Sequence, residues 1–207
     1  MIITDRNQVV KRLDLSEQAI EKLDKYVDLL EAEQAKMNLI GASTLPVVWT
    51  RHVLDSAQLF RYLLPSDRVV LDLGSGAGFP ALVLAAMDTE QKYVFHLTES
   101  EGKKADFLNK VIEVCALKAV VHNERIEQMK NFGADVITAR ALAPLDKLIR
   151  YALPFFKPGT RCLFMKGAKA EEELAQALKK YKCGVKKIKS VSSEDGIILE
   201  LSEVKKK

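Results

Sequence analysis

Between Asp72 and Gly78 the chain reads Asp72-Leu73-Gly74-Ser75-Gly76-Ala77-Gly78, and Glu99 follows 25 residues after the first glycine. Glycines at alternate positions let the backbone approach a ligand closely and take dihedrals closed to other residues. A dinucleotide loop needs Gly-x-Gly-x-x-Gly, so that pyrophosphate can rest on a helix N-terminus. Here the spacing is Gly-x-Gly-x-Gly, and Phe79 stands where that pattern wants its last glycine. Asp72 would repel a pyrophosphate, but a carboxylate there can orient the loop or receive the amino group of a methionine moiety. Glu99, closing the next strand, can accept both hydroxyls of a ribose. The pair points to S-adenosylmethionine. A dinucleotide, or a structural turn with no ligand, is the competing reading.

The segment after the fourth strand decides the chemistry. It reads Thr138-Ala139-Arg140-Ala141-Leu142-Ala143-Pro144-Leu145. This is not the Asn/Asp-Pro-Pro-Tyr/Phe run that accepts hydrogen bonds from an exocyclic amine. Nor does it hold the cysteine that attack on a pyrimidine ring requires. Cys162 falls inside a predicted strand and reads as core. What remains is transfer to an atom already nucleophilic without deprotonation, such as guanine N7, and such a step needs positioning more than acid–base catalysis. Arg140 leaves the carboxyl end of a central strand, where α/β folds bind ligands, and Lys166 ends the next strand on that edge. Both are assigned to positioning or substrate contact. His52 and Asp55 are three apart on a predicted helix and can share a face with each other. They and Arg51 either close the pocket, contact RNA or pack helices. Trp49 reads as core, and Lys103 and Lys104 as solvated.

These residues need a frame. Apolar positions from about Asp14 to Met37 have a helical period, and a second helix is predicted from Leu45 to Leu64 with Pro46 in its first turn. From Arg68 onward short apolar runs alternate with helical segments. The strands are Val69–Leu73, Tyr93–Thr98, Val120–His122, Asp135–Ala139 and Cys162–Met165. The helices are Pro80–Met87, Gly102–Cys115, Leu145–Phe156 and Ala170–Lys180. Val185–Val191 and Gly196–Leu201 then form an antiparallel hairpin through Glu194-Asp195-Gly196. Parallel strands require crossover helices, so the fold is a doubly wound, mostly parallel, seven-stranded Rossmann-like sheet. Its closing hairpin is typical of class I methyltransferases. Residues 1–65 form a helical extension and residues 66–207 the catalytic domain.

Composition sets outer limits. The 207 residues suffice for one α/β domain with a short extension. No apolar run reaches the roughly 18 residues of a membrane span. The opening Met1-Ile2-Ile3-Thr4-Asp5 lacks the order of a secretory signal. Three widely spaced cysteines suit a reducing cytoplasm and no metal site. Residues 161–207 hold twelve basic against seven acidic side chains, whereas residues 1–50 hold six against eight. The basic end either meets a polyanion or is a solvated surface.

Several segments together resemble the bacterial small-subunit (16S) ribosomal RNA guanine-N7 methyltransferases, also called glucose-inhibited division protein B. They are Asn38-Leu39-Ile40, Arg51-His52-Val53-Leu54-Asp55-Ser56, Leu71 to Pro80, and Glu99-Ser100-Glu101-Gly102-Lys103-Lys104. Arg125-Ile126-Glu127, Ala139-Arg140-Ala141-Leu142-Ala143 and Lys166-Gly167 complete the set. The resemblance implies that Gly74 and Phe79 line the S-adenosyl-L-methionine pocket beside Asp72, Gly76 and Gly78, and that Glu99 holds the ribose. It also implies that Arg125 and Ile126 flank the adenine and that Arg140 reaches cofactor or substrate. The expected partner is 16S rRNA or the small-subunit particle, met by a cytoplasmic monomer. A methyltransferase of another substrate, or a non-catalytic RNA-binding protein keeping the fold, is the alternative. Glu99 stands where many members have Asp, and Thr98 is an unusual polar residue within a strand.

Overall fold

The computed structural model describes residues 5–207, so part of the opening pentapeptide lies outside the described residues. Two helices come first, α1 (Asp5–Leu13) and α2 (Glu17–Gln34). The single helix expected from Asp14 is therefore preceded by another. Asp14 stands at φ 49, which ends α1, and the Ser16 hydroxyl accepts from the Ala19 amide to start α2. In α1 only Val9 is fully buried, which leaves little periodic signal to read. Leu23, Tyr26, Val27 and Leu30 recur at helical spacing along α2 and are buried.

The expected helix over Leu45–Leu64 is corrected to four short turns. A 3-10 turn (Ala42–Val47) contains Pro46, a π-helical turn (Trp49–Leu54) runs into one α-turn, α3 (Asp55–Ala57), and a second 3-10 turn (Phe60–Tyr62) follows. Pro46 removes an amide donor, and a π-turn shifts the register of the side chains after it. Trp49, His52, Val53 and Leu54 all face inward as a result.

Seven strands form one sheet: β1 (Val69–Leu73), β2 (Val94–Thr98), β3 (Ala119–His122), β4 (Ala134–Arg140), β5 (Phe156–Lys166), β6 (Tyr181–Lys189) and β7 (Ile197–Lys206). Their order is β3-β2-β1-β4-β5-β7-β6, with the first five parallel and β7 antiparallel to both neighbours. This is the doubly wound, Rossmann-like arrangement with a closing hairpin. Crossovers run through α4 (Ala81–Met87), α5 (Gly102–Val114), α6 (Leu145–Ala152) and α7 (Ala170–Lys180). The β3–β4 link instead holds only a 3-10 turn, Ile126–Gln128. The expected helix to Phe156 stops at Ala152, because a 3-10 turn containing Pro154 leads straight into a longer β5.

Side chains alternate along the central strands, so each face of the sheet has its own core. Val70, Leu163 and Met165 join α2, α4 and α5, while Leu71, Leu73, Cys162 and Phe164 join α6 and α7. Trp49 lies in the first core, and Cys162 is enclosed in the second with its thiol pKa pushed up by burial. Among the described residues no helix is long and apolar enough to cross a membrane. No cluster of side chains among them could hold a metal ion.

Candidate active site

The glycine loop follows the last residue of β1, and three side chains bonded to its backbone fix its shape. Gly74, Gly76 and Gly78 stand at φ 66, 56 and 104, in the region that favours glycine. Thr98 Oγ1 accepts from the Gly74 amide at 2.7 Å and donates to the Asp72 carbonyl at 3.1 Å. That double role explains a polar residue inside β2. Glu99 Oε2 accepts from the Gly76 amide at 3.0 Å and Oε1 from the Glu101 amide at 2.8 Å. From the other side, the buried Tyr26 hydroxyl of α2 donates to the Ala77 carbonyl at 2.6 Å.

Asp72 lies under the loop and is fully buried. Its Oδ1 accepts from Thr138 Oγ1 at 2.7 Å, and its Oδ2 has no partner. Burial raises its pKa to about 6, opposed by the nearby hydroxyls of Ser75 and Thr138.

Where β4 ends, Arg140 meets the extension. Its Nη2 donates to His52 Nδ1, and its Nη1 bonds Asp55 Oδ2 at 3.2 Å and the Arg51 carbonyl at 3.3 Å. An arginine only donates, so Nδ1 accepts and the imidazole proton sits on Nε2, which donates to Thr44 Oγ1 at 2.8 Å. Burial foremost, then the charges of Arg140 and Arg51, hold the His52 pKa at about 3. Its ring stacks on Phe79 at 4.9 Å, and the Arg140 guanidinium lies 5.0 Å above the same ring. Asp55 also accepts from Ser192 in the turn before β7, tying the closing hairpin to the cluster.

Two cavities open on either side of Arg140 and Ala141, which line both. The first, of about 440 Å³, is walled by Gly74, Gly76, Phe79, Glu99, Arg125 and Ile126. The second, of about 510 Å³, is bounded by Arg51, His52, Asp55, Lys166 and Glu173 with residues of the hairpin. Ala141 stands at φ 54, a conformation that costs a residue with a Cβ and that recurs at ligand sites.

Residues 19–198 match the GidB family, described as rRNA small subunit methyltransferase G. The ribosomal RNA small subunit methyltransferase G of Paramagnetospirillum magneticum is 44% identical over 95% of this chain and 95% of its own. The protein of the same name from Rhodospirillum rubrum is 40% identical over 92% and 93%. The chain belongs to the GidB family.

Solved structures agree on the fold this GidB chain adopts. An O-methyltransferase from Bacillus cereus in complex with SAH superposes with a TM-score of 0.59 at 15% identity, covering 86% of this chain and 91% of that one. Fibrillarin from Aeropyrum pernix, with natively bound S-adenosyl-L-methionine, gives 0.57 at 16%, covering 73% and 75%.

Of the residues assigned to the cofactor or to catalysis from the sequence, Gly74, Gly76, Phe79, Glu99, Arg125, Ile126 and Arg140 wall the first cavity, and three do not. Asp72 and Gly78 are absent from the first cavity's lining. Asp72 lies below the loop with its carboxylate bonded to Thr138 of β4, while a Cβ on Gly78 would strike Leu82 at 2.4 Å and the Tyr26 hydroxyl at 2.9 Å. Lys166 lines the second cavity, with its ammonium held by Glu173 at 2.6 Å and the Ala143 carbonyl at 3.0 Å. The sequence reading missed Tyr26, Gln34 and Glu173. Gln34 takes the Leu39 and Ile40 amides on Oε1 and donates to the Ile40 carbonyl, which sets both residues in the first cavity's wall. Its only trace in the sequence is a polar residue at the end of an amphipathic helix.

Proposed function

We propose that the protein transfers a methyl group from S-adenosyl-L-methionine to N7 of a specific guanosine in the 16S rRNA of the small ribosomal subunit. The observation that carries the reading is His52: Arg140 on Nδ1 and Thr44 on Nε2 occupy both ring nitrogens, so the imidazole at the seam between the cavities is committed to positioning rather than to proton transfer. An acceptor such as guanine N7 needs none. Family membership supports the ribosomal RNA substrate.

The first cavity fits the cofactor. Each Glu99 oxygen already accepts one amide and keeps a lone pair free, which suits the two hydroxyls of a ribose. A Cβ placed on Gly76 would meet nothing within 4 Å, so space is open above the loop. Lys104, Arg125 and Arg140 are balanced by Glu99, Glu124 and Glu127 around the wall, unlike a phosphate cradle. S-adenosylmethionine supplies a methyl already activated on a sulfonium. The chain's task is to hold nucleophile, methyl and sulfur in line. Arg125 and Ile126 flank the adenine, and Arg140, fixed by His52 and Asp55, sets the boundary between the two reactants. The extension, residues 1–65, thus completes a site built on residues 66–207.

Charge supports an RNA partner. Lys147 and Arg150 lie 5.4 and 5.7 Å from the centre of the Tyr151 ring, which walls the first cavity. Beyond them Lys179, Lys180, Lys206 and Lys207 continue one basic concavity. We place the reaction in the cytoplasm and assign it to the monomer. Incubation with labelled cofactor and small-subunit RNA, free or assembled, should yield N7-methylguanosine at one position. Any other modified base would overturn the assignment.

A further inference from the structure

We infer that the second cavity receives the target guanine and that Glu173 reads its Watson–Crick edge; this rests on the guanosine reading above. Two carboxylates line that cavity, Asp55 and Glu173. Asp55 is committed on both oxygens, Oδ1 to Ser192 and Gln58 and Oδ2 to Arg140. Glu173 is committed on one. Its Oε2 takes the Lys166 ammonium at 2.6 Å and the Leu145 amide at 2.8 Å, while Oε1 accepts no hydrogen bond among the described residues.

That anchoring matters for recognition. Lys166 has only 9% of its side chain exposed, so its charge is spent on holding Glu173 and the Ala143 carbonyl rather than on a phosphate. The carboxylate it fixes presents acceptors alone, and guanine is the base whose Watson–Crick edge offers two adjacent donors, N1–H and the N2 amine. Adenine offers an acceptor at N1, and would face Glu173 lone pair to lone pair. With the Watson–Crick edge held on α7, N7 lies on the opposite side of the purine. Arg140 and Ala141 form the wall that this cavity shares with the cofactor cavity. Glu173 is thus the specificity-determining residue, and Lys166 its positioning residue.

The test uses the full chain and two RNAs, with guanosine or inosine at the position the wild type methylates. Inosine keeps N7, O6 and N1–H and lacks only the N2 amine. Wild type should prefer guanosine by about 10-fold or more in kcat/KM, the scale of a lost partner in a two-bond base contact. Glu173→Gln and Glu173→Ala should lower kcat/KM on guanosine RNA and erase the preference, with the cofactor Kd unchanged. A merely structural role would leave the ratio of the two RNAs intact. Equal rates of wild type on both RNAs, or a preference preserved in either variant, would overturn the inference alone. Absence of N7-methylguanosine from the wild-type product would overturn both it and the proposed function.

Discussion

Arg140 donates a hydrogen bond to His52 across 88 positions of sequence, and through it the end of β4 is locked to the helical extension. The π-helical turn carries His52 inward, and the Phe79 ring packs against both the imidazole and the guanidinium. Arg140→Ala should reduce kcat/KM by about 100-fold, the usual cost of misplacing a reacting group by about an ångström. Arg140→Lys should restore little, because an ammonium cannot bond His52 and Asp55 at once while lying over Phe79. Full activity in Arg140→Ala, measured with small-subunit RNA, would remove the residue from the site.

The three loop glycines should differ in what they tolerate. At Gly78 a methyl group meets Leu82 and Tyr26 in the core, so Gly78→Ala should cost about 3 kcal/mol or more. At Gly76 the space is open, and only the positive φ opposes alanine, at about 1 kcal/mol. Gly74 falls between them, since its neighbour is the movable end of the half-exposed Leu142 side chain. Urea unfolding of the three variants should reproduce that order.

Glu99→Gln keeps the size of the side chain and removes its charge together with one of its two acceptors. One amide oxygen then replaces two carboxylate oxygens that each hold a backbone amide. Cofactor affinity should fall by about 10-fold, as expected when a charge-assisted bond is lost. Calorimetry on the purified variant would show it; an unchanged Kd would mean that Glu99 only shapes the loop.

His52 makes folding sensitive to acid. Its pKa is about 3 in the folded chain and about 6.5 when unfolded, so between those values the unfolded state binds the extra proton. Stability from this residue is complete above about pH 6.5 and is lost as pH falls toward 3. Asp72 has the opposite sign: with its pKa raised to about 6, it disfavours folding as pH rises from about 4 through 6. His52→Gln isolates the first effect. Relative to wild type it should gain of order 1 kcal/mol on going from pH 7.5 to pH 5, and parallel melting curves at both pH values would contradict the account.

Lys147 and Arg150 should act through the phosphate backbone. Replacing both with Ala should weaken RNA binding alike for target and non-target sequences, and flatten the slope of log K against log salt by about 1.5. The cofactor Kd should not change. An unaltered salt slope would place the RNA on another face.

The glycine spacing, the acid at Glu99 and the strand–helix alternation are local features, set by short-range sterics and hydrophobic period, and the chain alone was enough to read the sheet and the loop that borders the first cavity. Thr98 was legible as an anomaly, and its cause appeared only when β1 and β2 lay side by side. The region from Ala42 to Tyr62 was misread because a π-turn and two 3-10 turns share the apolar spacing of an α-helix while rotating their side chains differently. Tyr26, Gln34 and Glu173 left no motif, since each acts on a partner brought near by packing. The tertiary structure alone decided that Arg140 meets His52 and Asp55, and that Lys166 serves Glu173. Such pairs arise from the crossing of elements far apart in the chain, and no local pattern encodes which buried charge will find which partner.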